Sequence, residues 1–132
     1  MTDDGISQEV KALIAERIDS VVQLEVLLLL HGAPQKEWAA SEVAQELRIE
    51  GSWAEDQLNE LTNRGLLAQV GHTPPAYRYS PRSAELAAAV DGLKEAYADR
   101  RVTVISLIFS KPVDKLRSFA DAFRLRRDKN DG

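Results

Sequence analysis

The sequence contains no cysteine, only two histidines and few aromatic side chains, which make up 6% of its 132 residues. The lack of cysteine excludes disulfides, thiolate metal sites and thiol nucleophiles. The two isolated histidines give no metal-ligand spacing, and no glycine-rich phosphate loop is present. The serines have no neighbouring histidine that could act as a base. We therefore predict that the chain is not an enzyme and that it needs no cofactor or metal.

Long hydrophobic runs are also missing. The two most apolar stretches, residues 21–30 and 102–109, are much shorter than the roughly 20 residues that span a bilayer. The opening MTDDGISQEV is acidic, whereas a secretory signal would be basic and then apolar. A hydrophobic share of 44% with 29% charged residues is typical of a folded globular protein. We expect a cytoplasmic protein that does not contact a membrane.

Charge of one sign is concentrated at one end of the chain. The formal net charge is −4. Residues 111–132 carry seven basic and four acidic side chains, a net +3, so the other 110 residues carry −7. A cationic tail on an anionic body is typical either of a contact with a polyanion or of a solvated terminus.

The first part of the chain predicts two helices. Residues 7–19 place apolar side chains at helical spacing and leave charged ones for water. Ser20 and Gln23 have the spacing of a capping box for a second helix over residues 21–31. This second helix is apolar on nearly every side, which is typical of a helix at the centre of a fold, and Gly32 ends it.

The middle of the chain predicts a pair of short helices joined by a tight turn. Ser41 is a good N-cap for the first of them, SEVAQELRI, and the turn that follows contains Gly51. Ser52 with Glu55 three residues later fits a capping box for the second helix, residues 52–64. Three of its side chains share one face and should point to the core: Ala54, Leu58 and Leu61.

Gly65 is placed to take the left-handed conformation that closes this helix. Residues 66–70 and 77–79 then alternate as paired strands around the polar tip GHTPPA. Ser80 with Pro81 is suited to begin the next helix.

From residue 82 to residue 110 no proline interrupts the chain, which predicts a single helix of about 28 residues. Its end, residues 102–109, is β-branched and would also suit a buried strand, but no partner strand is evident and we favour helix. Pro112 begins a last predicted helix.

The pattern is a mainly α fold with a small β-hairpin wing. Residues 20–81 resemble the winged helix-turn-helix transcription regulators of prokaryotes, broadly of the MarR and PadR types, with SEVAQELRI as the positioning helix, SWAEDQLNELTNRGLL as the recognition helix and YRYSP as the second wing strand. Residues 1–19 would be an additional N-terminal helix and residues 82–132 a C-terminal helical arm. The resemblance implies binding of double-stranded DNA by homodimers that are held together by their terminal helices.

With the leucine face of helix 52–64 inward, the outward positions include Asn59 and Asn63, which could read adenine edges, and Ser52, which could hold a phosphate. Arg78 lies between two tyrosines, so alternation turns it to the opposite face of the wing. The candidate DNA-binding residues are Ser52, Trp53, Asn59, Asn63, Arg64, His72, Arg78 and Arg82.

Acidic residues argue against this interpretation. Asp56 and Glu60 also face outward, and residues 20–80 carry eight acidic and only four basic side chains. Carboxylates that face a groove are repelled by phosphate. The alternative is therefore a winged-helix module whose acidic face docks a basic protein and never binds DNA. A third reading is a ligand-responsive regulator with an apolar pocket between its dimer arms.

Overall fold

A computed structural model describes residues 5–110; the predicted helix at Pro112 and the basic tail lie outside them. The architecture is the mainly α winged helix-turn-helix that the sequence predicts. Its elements are α1 (Gln8–Arg17), α2 (Val21–His31), β1 (Trp38–Ala39), α3 (Ala40–Leu47), α4 (Gly51–Asn63), β2 (Leu67–Val70), β3 (Ala76–Tyr79), α5 (Ala84–Asp99) and α6 (Arg101–Phe109). Of the helices in this part of the chain, none combines the length and hydropathy needed to span a bilayer.

Helix α2 lies at the centre of the fold, as its all-round apolar sequence predicts. It contacts α3, α4 and β3. Four of its side chains are fully buried: Leu24, Val26, Leu27 and Leu30. Burial of each such side chain contributes about 1.5–3 kcal/mol, so this helix supplies much of the apolar burial that holds the winged domain together.

Serine side chains cap the first two helices. Ser7 Oγ accepts a hydrogen bond from Val10 N at 3.3 Å, and Ser20 Oγ accepts one from Gln23 N at 3.1 Å. The predicted capping box at α2 is only half formed, because Gln23 Oε1 accepts from Asp19 N rather than from Ser20 N. Gln23 is only 3% exposed, so its side chain lies in the interior of the fold.

The turn between α3 and α4 differs from the prediction. Gly51, which was predicted to lie in the turn, is the first residue of α4, and the left-handed residue of the turn is Arg48, with φ 59° and ψ 50°. Because the chain reverses at Arg48, α4 already begins at Gly51 with Glu50 as its N-cap. Ser52 therefore lies within the first helical turn, and the predicted capping box of Ser52 and Glu55 is wrong.

A third strand, β1, was not predicted, because two residues are too short to show alternation. It pairs with β3 in an antiparallel sheet of order β1-β3-β2, with Trp38 opposite Tyr77. The same strand moves the start of α3, since Ala39 becomes its N-cap and Ser41 does not. Glu42 Oε1 accepts from Ala39 N at 2.9 Å. The wing is thus joined directly to the start of α3.

Residues 82–110 do not form the single continuous helix that the sequence predicts, and this prediction is wrong. Ser83, and not Ser80, caps α5 by accepting from Leu86 N, and the helix breaks at Arg100, where φ is −135° and ψ is 55°. Both α5 and α6 pack on α1. Residues 102–109 are helical, which confirms the preferred alternative.

Two glycines of the helix-turn-helix should respond to alanine with opposite signs. Gly65 has φ +82°, so Gly65→Ala is expected to lower the free energy of unfolding by about 1–2 kcal/mol, the cost of a left-handed alanine. Gly51 is helical with open space around it, so Gly51→Ala should raise the free energy of unfolding, by up to about 1 kcal/mol. Urea denaturation measures both. Destabilisation by Gly51→Ala would contradict the helix start assigned here.

Candidate nucleic-acid interface

Helix α4 turns one apolar face to the core and one polar face to solvent. Ala54, Leu58 and Leu61 are fully buried. The exposed side chains of the polar face are Ser52, Trp53, Asp56, Asn59, Glu60 and Asn63. Trp53 is 46% exposed, so nearly half of its surface faces solvent. The orientation that helical periodicity predicts for this helix is confirmed.

Asn59 is held in place by the wing. Tyr77 Oη donates a hydrogen bond of 2.8 Å to Asn59 Oδ1. Tyr77 is itself buried in β3, and burial raises the pKa of its phenol, with the charge of Glu55 adding to the effect. The phenol therefore stays protonated and remains a donor. This contact fixes the side-chain amide of Asn59 and leaves its NH₂ group free to donate to a base edge.

The wing presents two of the predicted residues. His72 lies exposed at the tip, with its Nδ1 3.5 Å from Gln69 Nε2. The Arg78 side chain is 41% exposed and lies 3.6 Å from Glu37 Oε2. Alternation along β3 separates Arg78 from the buried Tyr77, as predicted. An exposed ion pair of this length is weak, so Arg78 can exchange Glu37 for a phosphate.

Arg82 lies where the wing returns to the end of α4. Its backbone N–H donates to Gly65 O at 2.7 Å, and its guanidinium packs against Gly65. The residue is exposed. Arg82 is therefore accessible to solvent or to a phosphate, as is the polar face of α4.

Arg64 has a different environment from the other candidates. Its side chain is 23% exposed and contacts Asp19 at 2.7 Å and Glu60 at 3.3 Å. The hydrogen bond to Asp19 raises the pKa of Arg64, against the opposing effect of partial burial. The guanidinium is thus engaged inside the protein, and phosphate would have to displace these partners.

Both carboxylates that oppose DNA binding are exposed on α4, as expected. Glu60 is partly neutralised by its ion pair with Arg64, which is an i, i+4 pair. Asp56 lies one turn earlier on the same face.

Among residues 5–110, no group of three or more His, Cys, Asp or Glu side chains is arranged to hold a metal ion.

The sequence did not reveal the contacts that orient the interface. Tyr77 fixes Asn59 from 18 residues away, and Gln23 contacts Gln57 across 34 residues. Neither pair has a spacing that a local motif could indicate. Arg48 is exposed in the turn before α4 and adds a basic group near the candidate residues.

No protein-family model matches the chain, and no curated protein matches it. Solved structures do. A MarR family transcriptional regulator from Streptomyces coelicolor has 17% sequence identity and a TM-score of 0.55, over 93% of this chain and 84% of that one. A transcriptional regulator from Thermotoga maritima has 11% identity and a TM-score of 0.51, over 92% of this chain and 85% of that one.

A variant of Staphylococcus aureus MepR bound to an oligodeoxyribonucleotide has 12% identity and a TM-score of 0.50, over 89% of each chain. Similarity at these identities concerns the fold. It shows that residues 5–110, including α1, α5 and α6, have a winged-helix fold like that of MarR-type regulators.

Proposed function

We propose that this chain is a DNA-binding transcriptional regulator that inserts α4 into a major groove and lays its wing against the neighbouring backbone. The observation that carries the proposal is the exposed polar face of α4, which lies beside the β-sheet wing. A recognition helix needs its polar side free and its apolar side docked, and α4 meets both conditions. The winged-helix fold and a similar protein bound to an oligodeoxyribonucleotide support the same conclusion.

The acidic balance can be reconciled with DNA binding. Glu60 is paired with Arg64, which leaves Asp56 as the main unfavourable charge of the outward face. A carboxylate there can accept a hydrogen bond from a cytosine amino group. Arg48 lies in the turn before α4, Arg82 packs against Gly65 at its end and Arg78 lies on the wing. We propose that these three side chains neutralise phosphates. We therefore expect a target with cytosine opposite Asp56 and modest non-specific affinity.

We further propose that the regulator is a homodimer joined by its terminal helices. Helix α6 exposes Val102 at 77% and Phe109 at 64%, with the half-buried Ile105 between them at helical spacing. An apolar stripe of this kind is normally covered. A second copy covers it symmetrically and brings a second recognition helix to the next half-site. Such a regulator acts where the DNA is, so we infer a cytoplasmic protein.

No feature of the fold favours the acidic docking module over the regulator. One experiment distinguishes the two functions. Duplexes are selected from a randomised library, and the affinity of the chain for them is then measured by fluorescence anisotropy at increasing salt. The regulator binds a selected duplex, and the affinity falls steeply with salt. The absence of binding at low salt would contradict the proposal and favour the protein-docking module instead. The effector-responsive reading stays a prediction.

Arg78 provides a sharper test of the wing. Arg78→Ala is expected to weaken binding to selected and scrambled duplexes alike and to reduce the salt slope by about 1, the signature of one lost phosphate contact. Arg78→Lys should keep the slope. Lys94→Ala, which removes an exposed charge from α5, is the matched control and should leave both affinity and slope unchanged. An unchanged slope for Arg78→Ala would remove Arg78 from the interface.

A further inference from the structure

The end of α1 and the start of α2 are bonded to α4 at two levels. Near the middle of α4, Gln23 Nε2 donates to Gln57 Oε1 at 3.1 Å. At the end of the helix, Arg64 Nη1 donates to Arg17 O at 2.8 Å, and Arg17 Nη1 donates back to Arg64 O. These contacts join residues 34 to 47 positions apart, so they link α4 directly to the α1–α2 junction, residues 17–23.

Arg64 is the centre of this network. One nitrogen, Nη1, contacts Arg17 O and lies 3.4 Å from Gln23 Oε1. The other, Nη2, contacts Asp19 Oδ2 at 2.7 Å and Glu60 Oε2 at 3.3 Å. Four partners are thus held by one planar guanidinium. Lysine carries the same charge but is a flexible point donor and cannot reproduce that geometry.

The network is also partly sequestered from water. Gln23 is the one buried polar side chain among the core residues of the described part, and its amide is satisfied by Asp19 N, Gln57 and Arg64 together. A buried amide that loses a partner is costly, so α4 has one favoured position relative to the α1–α2 junction.

We propose that Arg64 is a positioning residue for DNA recognition: it locks the end of α4 to the α1–α2 junction and so sets the angle at which Asn59 and Asn63 meet the bases. This inference rests on the proposed DNA-binding function. It assigns Arg64 a different role from the phosphate contact that its sequence position predicts. Because base readout depends on helix placement and phosphate attraction does not, the loss of this lock should reduce specificity more than overall attraction.

The two roles of Arg64 give opposite expectations for two substitutions. If Arg64 bound phosphate, Arg64→Lys would retain affinity, and Asp19→Asn would free the guanidinium and strengthen binding. As a positioning residue, Arg64 cannot be replaced by lysine, and Asp19→Asn removes its strongest partner. Both variants should then lower the ratio of affinities for a selected over a scrambled duplex.

The experiment measures anisotropy of labelled selected and scrambled duplexes with the full chain. Arg64→Lys and Asp19→Asn are each expected to lower the specific-to-scrambled ratio by about tenfold, with the salt slope unchanged, a size typical of coupling through packed networks. Arg101→Lys is the matched control, because Arg101 also pairs across elements, with Glu25 at 3.4 Å, but does not contact α4. It should leave the ratio unchanged.

Each outcome is decisive. A lowered ratio in both variants, with circular dichroism matching the unsubstituted protein, supports the positioning role. If Arg64→Lys does not fold, Asp19→Asn alone still decides, because the phosphate role predicts tighter binding to both duplexes with an unchanged ratio, whereas the positioning role predicts a lower ratio. Retained specificity in Asp19→Asn would overturn the inference while leaving the DNA-binding function intact. The absence of selected binding by the unsubstituted chain would instead overturn the proposed function, and this inference with it.

Discussion

Leu58→Ala is expected to lower the free energy of unfolding by about 2–5 kcal/mol, the range for leucine truncations that leave a core cavity. Leu58 is fully buried on the inner face of α4, between Ala54 and Leu61. Its loss therefore weakens the docking of the recognition helix on α2. Urea denaturation followed by circular dichroism measures the change.

Trp53→Ala is the control for Leu58→Ala. It removes a larger side chain from the opposite face of the same helix, but Trp53 is 46% exposed. A surface substitution of this kind usually changes stability by less than about 0.5 kcal/mol. The smaller truncation should thus have the larger effect. If the two substitutions lowered the free energy of unfolding equally, or Trp53→Ala lowered it more, the face of α4 that carries Leu58 would not be the one that packs on the core.

Phe109→Asp is expected to convert the proposed dimer to a monomer and to weaken binding to a selected duplex by about 10²-fold or more. Phe109 is 64% exposed on the same face of α6 as Val102, where a buried carboxylate in a dimer interface would be strongly unfavourable. Linked half-site contacts raise affinity by about 10²–10⁴, and a monomer loses that gain. Light scattering coupled to size exclusion measures the mass, and anisotropy measures the affinity.

Gln35→Glu is the control for the added charge, because Gln35 is exposed in the loop between α2 and β1. It should leave both mass and affinity unchanged. A dimer that survives Phe109→Asp would place the interface elsewhere. A monomeric unsubstituted protein would mean that the apolar stripe of α6 is covered within the chain.

Local sequence signals were sufficient for much of the fold. Helices α2 and α4 were predicted because their apolar spacing is strong, and Gly65 because a helix that runs into a strand needs a left-handed residue there. The wing followed from alternation on either side of the tip. In each case neighbouring residues alone determine the structure.

The wrong predictions share a physical cause, which is long-range packing. Gly51 was predicted to lie in the turn but belongs to α4, and Arg48 takes the left-handed conformation, because the packing of α3 and α4 sets where the turn lies. The break at Arg100 lies between two helices that both pack on α1, and no glycine or proline marks it in the sequence. Strand β1 exists only because β3 lies beside it.

The candidate site likewise has some features that the local sequence predicts and others that depend on distant residues. Helical periodicity identified the exposed face of α4 and alternation identified the side of Arg78, since both depend on local geometry. The environment of Arg64 was not predictable, because its partners Arg17 and Asp19 lie more than 40 residues away in sequence. Its charge indicated a phosphate contact, whereas its surroundings make it a structural link.

Whether α4 enters a DNA groove is tested most directly by mapping backbone amide chemical shifts while a selected duplex is added to the full chain. We expect the largest changes along Gly51–Asn63 and at the wing tip around His72, with small changes in α5 and α6. Changes confined to the terminal helices, or no changes at low salt, would contradict the proposed role of α4 as the recognition helix.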